Sequence, residues 1–336
     1  MIFMIYRSPD YCRKFRCIAD KCRDNCCIGW EIDIDEKTAD FYENVRGKFG
    51  EKLRKNISEN SFILGEKERC PFLNDCNLCE IYINLGEDKL CQICTDHPRY
   101  FEWFGEVKEG GIGMCCEEAA RIILSENFTL CENVVPDEEC DEADNELFVF
   151  LCRARNEIFG HLQNDSLETA ISEMLCFAEK LQLKIDNGEY EIPEWEKCQA
   201  GIKFDIPSLL ELMRTLEPID EHWTDYIEKC GRFTEKIKQI SLEKTEYLRN
   251  IAVYFIYRYF LKGVFDGEII SRVRMAAASV YIIDFFIKCD EFTGVKCDLE
   301  ECADIAKKFS KEVEYSEENM EDFLNGMYYD FSRFVL

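Results

Sequence analysis

With 336 residues, 47% of them hydrophobic, the chain can form one large domain or two ordinary ones around a substantial core, which excludes a disordered protein. A formal net charge of -27 repels phosphate backbones, so no nucleic-acid partner is expected. A basic protein or a lysine-rich substrate suits that charge, although solubility alone accounts for it equally well.

The N-terminus reads MIFMIYRSPD. Its apolar stretch is too short for a secretory signal and has no basic residues before it. With 21 cysteines in the chain, an odd number, this predicts a reducing, cytoplasmic setting in which clustered cysteines mean metal or redox chemistry. Fourteen of them lie in the first 140 residues. They predict a cysteine-rich domain over residues 1–131 that depends on metal for its order.

The first group is Cys17, Cys22, Cys26 and Cys27. Trp30 follows and is expected to shield a metal from water, with stacking on an adenine as the alternative. Residues 31–35 alternate briefly like a strand, and Asp33 and Asp35 are expected to cap a helix starting near Glu36. The second group is Cys70, Cys76 and Cys79, with Tyr82 expected in the core just beyond. The third is Cys91 and Cys94, followed by His97, expected to be a hydrogen-bonded turn residue. Arg99 is expected to make a structural ion pair, with holding a carboxylate in bidentate fashion as the alternative. Residues 110–113, Gly-Gly-Ile-Gly, look like a glycine-rich turn and do not make a dinucleotide-binding fingerprint. The fourth group is Cys115 and Cys116.

Residues 132–146 are predicted to be an acidic linker or loop. From 147 to 336 the pattern predicts an all-α domain. Apolar residues recur at helical spacing in 147–158, 209–216, 226–240, 248–264, 269–288 and 299–313. Asp205, with Pro207 after it, marks a helix start, and Thr293-Gly294 marks a turn. The apolar stretches at 251–265 and 275–287 are broken by Arg258, Lys262 and Asp284, so they predict buried helices and no membrane partner. Cys12, Cys131 and Cys140 are expected to be small core residues, as are the seven scattered cysteines after position 141. The fold class expected is thus mainly α, with a cysteine-rich metal-binding N-terminal domain followed by a helical one.

Four cysteine groups within about a hundred residues can bring several sulfurs to one metal. The pairs Cys76/Cys79 and Cys91/Cys94 would also make a zinc site, and spacing alone leaves zinc and iron–sulfur level.

The run FRCIADKCRDNCCIGWEIDIDEKTADFYENV resembles the opening of the flagellin lysine-N-methylase family, the FliB-like proteins. That family is similar to a wider group of zinc- or iron-chelating proteins with a C-x-x-C-x-x-C-C-like signature, whose spacings are shorter than those here. The CPFL at 70–73, CEIY at 79–82, CTDHPR at 94–99 and CCEEAAR at 115–121 follow in the family's order. The segment LRNIAVYFIYRYFLKGVFDGEIISRVRMAAASV resembles its helical half. The resemblance implies a protein-lysine N-methyltransferase that acts on flagellin, uses S-adenosylmethionine and contains a [4Fe-4S] cluster. Carried over by position, the metal residues are Cys17, Cys22, Cys26, Cys27, Cys70, Cys79, Cys94 and Cys116. Cys12, Cys76, Cys91 and Cys115 lie outside the pattern. His97 stands where the family has Tyr, and Cys115 and Glu117 replace Ser and Pro. No catalytic residue is assigned, and Arg99 and Trp30 are the candidates near the cofactor. The alternative is a non-catalytic metal- or redox-sensing protein with a zinc or iron–sulfur site.

Overall fold

A computed structural model describes residues 3–29, 31–136, 145–197, 201–237 and 244–336. Strand β1 (Phe3–Pro9) alternates as a strand with one covered face should: Met4 is buried while Phe3 and Ile5 point outward. After it come α1 (Glu36–Asn44), α2 (Gly47–Lys55), the two-residue strands β2 (Ile57–Ser58) and β3 (Ser61–Phe62), α3 (Glu80–Leu85) and α4 (Gln92–Asp96). Then follow β4 (Arg99–Phe104), β5 (Val107–Ile112), α5 (Glu117–Ser125) and β6 (Leu130–Pro136). The chain is helical from there: α6 (Asn145–Asn164), α7 (Leu167–Asp186), α8 (Ile206–Thr215), α9 (Trp223–Gly231) and α10 (Thr245–Tyr259), then α11 (Gly263–Asp266), α12 (Ile270–Phe292), α13 (Leu299–Glu314) and α14 (Glu317–Tyr329).

The chain is mainly helical, as expected, but the composition concealed a four-stranded sheet of order β4-β5-β1-β6. β4 and β5 form an antiparallel hairpin, β1 runs parallel to β5, and β6 returns antiparallel along β1. Three expectations are corrected here. Residues 31–35 form no strand; Asp33 makes one isolated bridge to Ser61. Gly110 and Gly111 lie within β5 and not in a turn. Tyr82 is half exposed, because the short α3 turns Ile81 inward instead.

Helix ends obey local chemistry. The Asp35 carboxylate accepts from Thr38 N at 3.0 Å and caps α1 as expected, while Asp33 instead accepts from the Ser61 hydroxyl at 2.7 Å. Asp205 caps α8 through Ser208 N, with Pro207 in the first turn. The helix expected over 226–240 ends at Gly231, and the one over 248–264 breaks after Tyr259 into a 3-10 turn and α11. Helix α12 is buried on nearly every side. Ala276, Ala277 and Ala278 lie in that buried stretch, and α7, α8, α10, α13 and α14 all pack against the helix. No helix among the described residues is long and apolar enough to cross a membrane.

Two clusters of buried side chains hold the molecule together. The larger joins the helices to the sheet and α5, taking in Tyr11, Phe15, Phe104, Met114 and Ile123. The smaller gathers Ile32, Ile34, Tyr42, Leu53, Phe62, Phe72 and Ile81 around Cys70 and Cys91. Sheet and helices are further tied by Arg155 of α6, whose buried guanidinium forks onto Glu109 of β5 at 2.7 and 2.6 Å.

Candidate metal centre

Six thiols from three chain segments gather in and around the smaller core: Cys70 and Cys91 are buried in it, Cys27, Cys79 and Cys94 pack against it, and Cys26 is hydrogen-bonded to Cys27. Cys26 and Cys27 end a loop shaped by its own side chains: Asn25 Oδ1 accepts from Cys27 N at 2.8 Å. The next segment is anchored to it, since Cys70 N donates to Cys27 O at 2.9 Å. Asn74 then closes a turn by accepting from Cys76 N and Leu78 N, both at 2.9 Å, and an isolated bridge between Leu73 and Cys79 brings Cys79 back towards Cys70. Buried Phe72 fixes this turn against Phe62 at 5.0 Å. The third segment is the start of α4, where Asp35 Oδ2 accepts from Gln92 N at 2.9 Å, between Cys91 and Cys94.

The crowding bears on the acidity of these thiols. Cys26 is held below its ordinary pKa by a hydrogen bond from Cys27, and Cys27 is raised by the same bond. Cys91 and Cys94 form a second such pair. Cys27 is raised further by Cys70 and Cys79, and Cys94 by Cys27 and Cys70. Burial pushes Cys70 up to about 11, with Cys79 and Cys91 adding to it. Each thiolate would oppose the next, an arrangement that a bound cation would relieve.

Of the eight cysteines expected to bind metal, Cys26, Cys27, Cys70, Cys79 and Cys94 share this place. Cys116, at the start of α5, borders it through Cys26. Cys17 is exposed and takes a hydrogen bond from Ala19 N at 3.4 Å. Cys22 sits 3.6 Å from Glu117 Oε2. Cys91, left outside the family pattern, is fully buried within the group. Its C-x2-C spacing with Cys94 was the signal for it. Cys76 is exposed, and Cys115 is buried against Tyr315. Arg99 lays its guanidinium over the Phe15 ring at 5.2 Å. Trp30 and Cys140 lie outside the described residues. Among the described residues, His161, Asp165 and Glu173 bring potential ligand atoms within 4.8 Å of one another, whereas no three cysteine sulfurs do so.

Helix α13 clamps the centre to the helical region. Burial pushes the Asp24 carboxyl up, but Lys307 and Lys311, at 3.3 and 3.6 Å, outweigh it and hold it below its ordinary value. Arg23 reaches Glu117 at 3.0 Å and Glu301 at 2.7 Å. Just past α13, the Tyr315 hydroxyl meets His97 Nδ1 at 2.8 Å. Burial, with Arg99 nearby, lowers His97 to about 4, so the ring is neutral at pH 7. His97 is the hydrogen-bonded turn residue expected.

Residues 196–333, which include α13, match the family described as the FliB lysine N-methylase C-terminal domain. The chain is FliB-like in this region. It is 25% identical over 133 residues to a protein named lysine-N-methylase from Salmonella typhimurium, covering 35% of this chain and 32% of that protein. It is 24% identical to the flagellar biosynthetic protein FliU of Salmonella muenchen, again over 35% of this chain, and covers 76% of that one. The match thus spans about a third of the length of the Salmonella typhimurium relative. No solved structure matches.

Proposed function

We propose that this FliB-like chain is a protein-lysine N-methyltransferase that uses S-adenosylmethionine, acts on flagellin and carries an iron–sulfur cluster on its cysteines. The observation that carries this reading is the gathering of six thiols next to a loop whose Arg23 and Asp24 are held by α13, a helix of the segment that matches the lysine N-methylase family. The flagellar name of one relative favours a flagellar substrate.

The donor set fits a cluster. A single zinc ion with Zn–S near 2.3 Å draws its four sulfurs to within about 4 Å of one another. Here Cys26/Cys27 and Cys91/Cys94 are hydrogen-bonded pairs, but among the described residues no three of the sulfurs lie within 4.8 Å of one another. Thiolates around a multinuclear cluster are farther apart, and six candidates leave two to spare for a four-cysteine cluster. Cys26, Cys27, Cys70, Cys79, Cys91 and Cys94 would hold it. When bound, the cluster would order the smaller core and offer an iron site or a redox state.

Methyl transfer itself is a polar displacement. The neutral lysine amine attacks the methyl carbon, the carbon–sulfur bond breaks, and its electron pair stays on sulfur as a thioether. A free lysine has a pKa of about 10.4, so its ammonium proton must first pass to a base or to water. Such a step needs a pocket that receives a cation and keeps water away.

Anaerobic purification with iron, sulfide and zinc analysis tests the centre, and calorimetry with S-adenosylmethionine tests the activity class. Brown protein with iron and sulfide, saturable methyl-donor binding and a mass gain on flagellin lysines are expected. Colourless protein with stoichiometric zinc would overturn the cluster. An intact centre that binds no S-adenosylmethionine would leave a metal or redox sensor.

A further inference from the structure

Three side chains that can ligate a metal meet where α6 packs against α7. His161 lies in the last turn of α6, and Asp165 follows just past its end with helical spacing, since Asp165 N donates to His161 O at 3.0 Å. Residues four apart share a helix face, and His161 Nδ1 lies 2.7 Å from Asp165 Oδ2. Glu173 comes from the second turn of α7. One ligand atom from each of the three lies within 4.8 Å of the other two. None of the three belongs to the cysteine centre or to the segment that matches the FliB family.

Glu173 is the unusual member. It is only 3% exposed, on a helix whose buried residues Ala170, Met174 and Phe177 are apolar. A buried carboxylate is ordinarily matched by a cation. Among the described residues Glu173 pairs with no Lys or Arg, and its hydrogen-bond donor is the neutral Trp195 indole, 2.8 Å from Oε2. Trp195 also stacks on the His161 ring, with centroids 3.8 Å apart and planes 5° from parallel. One indole thus fixes both the imidazole and the buried carboxylate. Asp165 adds a negative charge at the C-terminal end of α6, where a cation is favoured. Arg249 serves the backbone there by donating to the carbonyls of Leu162 and Asp165, while its ion-pair partner is Glu246 at 3.7 Å. His161 and Asp165 are half-buried, so the corner opens to solvent through them.

We propose that this corner binds a divalent first-row transition metal ion through His161, Asp165 and Glu173. One imidazole nitrogen and two carboxylates, with no sulfur, suit zinc, manganese or ferrous ions. Metal–ligand bonds of about 2.0–2.2 Å place neighbouring ligand atoms about 3 Å apart. The His161–Asp165 pair is already near that spacing, so the ion takes the place of the proton between them. The two carboxylates match its double charge, and the charge of Glu173 gains the partner it lacks. Three protein ligands at a half-open corner leave positions for water or a substrate oxygen.

The full chain with its cysteine centre intact is titrated with Mn²⁺, which thiolates bind poorly, and the free ion is read by electron paramagnetic resonance. Saturable binding of one ion per chain is expected. Zn²⁺ should displace it, and Mg²⁺ at the same concentration should not, because Mg²⁺ prefers an all-oxygen octahedron. His161→Gln and Asp165→Asn, at half-buried positions, should each weaken binding at least about tenfold with an unchanged circular dichroism spectrum. Glu173→Gln keeps an acceptor for the Trp195 indole and removes only the charge, so it should weaken binding as much. The other two variants keep the test valid if that protein misfolds. No saturable binding at millimolar Mn²⁺, unchanged affinity in His161→Gln and Asp165→Asn, or displacement by Mg²⁺ as complete as by Zn²⁺ overturns the assignment.

Discussion

Cys91 illustrates what a single residue contributes beyond a motif. The family pattern passes over it, yet it is fully buried, hydrogen-bonded to Cys94 and close enough to Cys70 to raise it. Cys17 is the reverse case: it fits the pattern but lies exposed two residues before the 3-10 turn at Ala19–Lys21. Ligation demands that sulfurs converge, so position should outrank pattern. Cys91→Ser is expected to lose most of the bound metal and, because binding is coupled to folding, to destabilise the smaller core. Cys17→Ser should keep its metal. Cys230→Ser, in the helical core, should cost about 1–3 kcal/mol through a buried hydroxyl while metal content stays full. Iron and sulfide analysis of the three purified variants decides between position and pattern, and full iron in Cys91→Ser would remove that residue from the centre.

At the scale of elements, the helices were legible because their apolar spacing is long and regular, as in α8 and α13. The sheet was not. β5 reads Val-Lys-Glu-Gly-Gly-Ile, and glycine is ordinarily a strand breaker. Here it makes room. A Cβ on Gly111 would lie 2.3 Å from the Tyr100 hydroxyl oxygen, and one on Gly110 would lie 2.5 Å from that of Tyr6. Tyr100 in turn supports Arg258, whose guanidinium lies 4.4 Å from its ring centre, so β5 underlies the ion pair between Arg258 of α10 and Glu314 of α13. Nothing in single-residue propensity announces a tyrosine arriving from a neighbouring strand. Gly111→Ala is therefore expected to destabilise the protein by about 1–3 kcal/mol, the ordinary cost of overpacking. Urea unfolding would measure it, and a midpoint equal to that of the unaltered protein would show that Tyr100 moves aside freely.

Across the whole molecule, packing and cysteine content divide the chain at different places. Cysteine spacing reveals where metal chemistry lies, but it is silent on which core a segment joins. β1, β4, β5 and α5 come from the cysteine-rich third, yet Phe104 of β4 stacks on Phe148 of α6 at 5.4 Å and Ile123 belongs to the larger core. The smaller core is a compact set of ten buried residues between Ile32 and Cys91, with two cysteines among them. Small cores of that kind need a staple, and a metal is one. The larger core is dense with aromatic and aliphatic side chains and needs none. Removing metal with a chelator, or destroying the centre with an oxidant, should thus disorder the region around residues 17–96 and leave the helices from α5 onward folded. Circular dichroism should keep most of its helical signal, and limited proteolysis should open new sites in the cysteine segments alone. The clamp of Lys307 and Lys311 on Asp24 couples the two parts, but part-exposed Lys311 adds only about 1 kcal/mol, and buried Lys307 keeps Asp304 at 2.9 Å as a second partner when Asp24 leaves. That is too little to carry unfolding across the boundary. A single cooperative loss of all helix on metal removal would mean that the centre holds both cores, and that the FliB-like region does not stand without it.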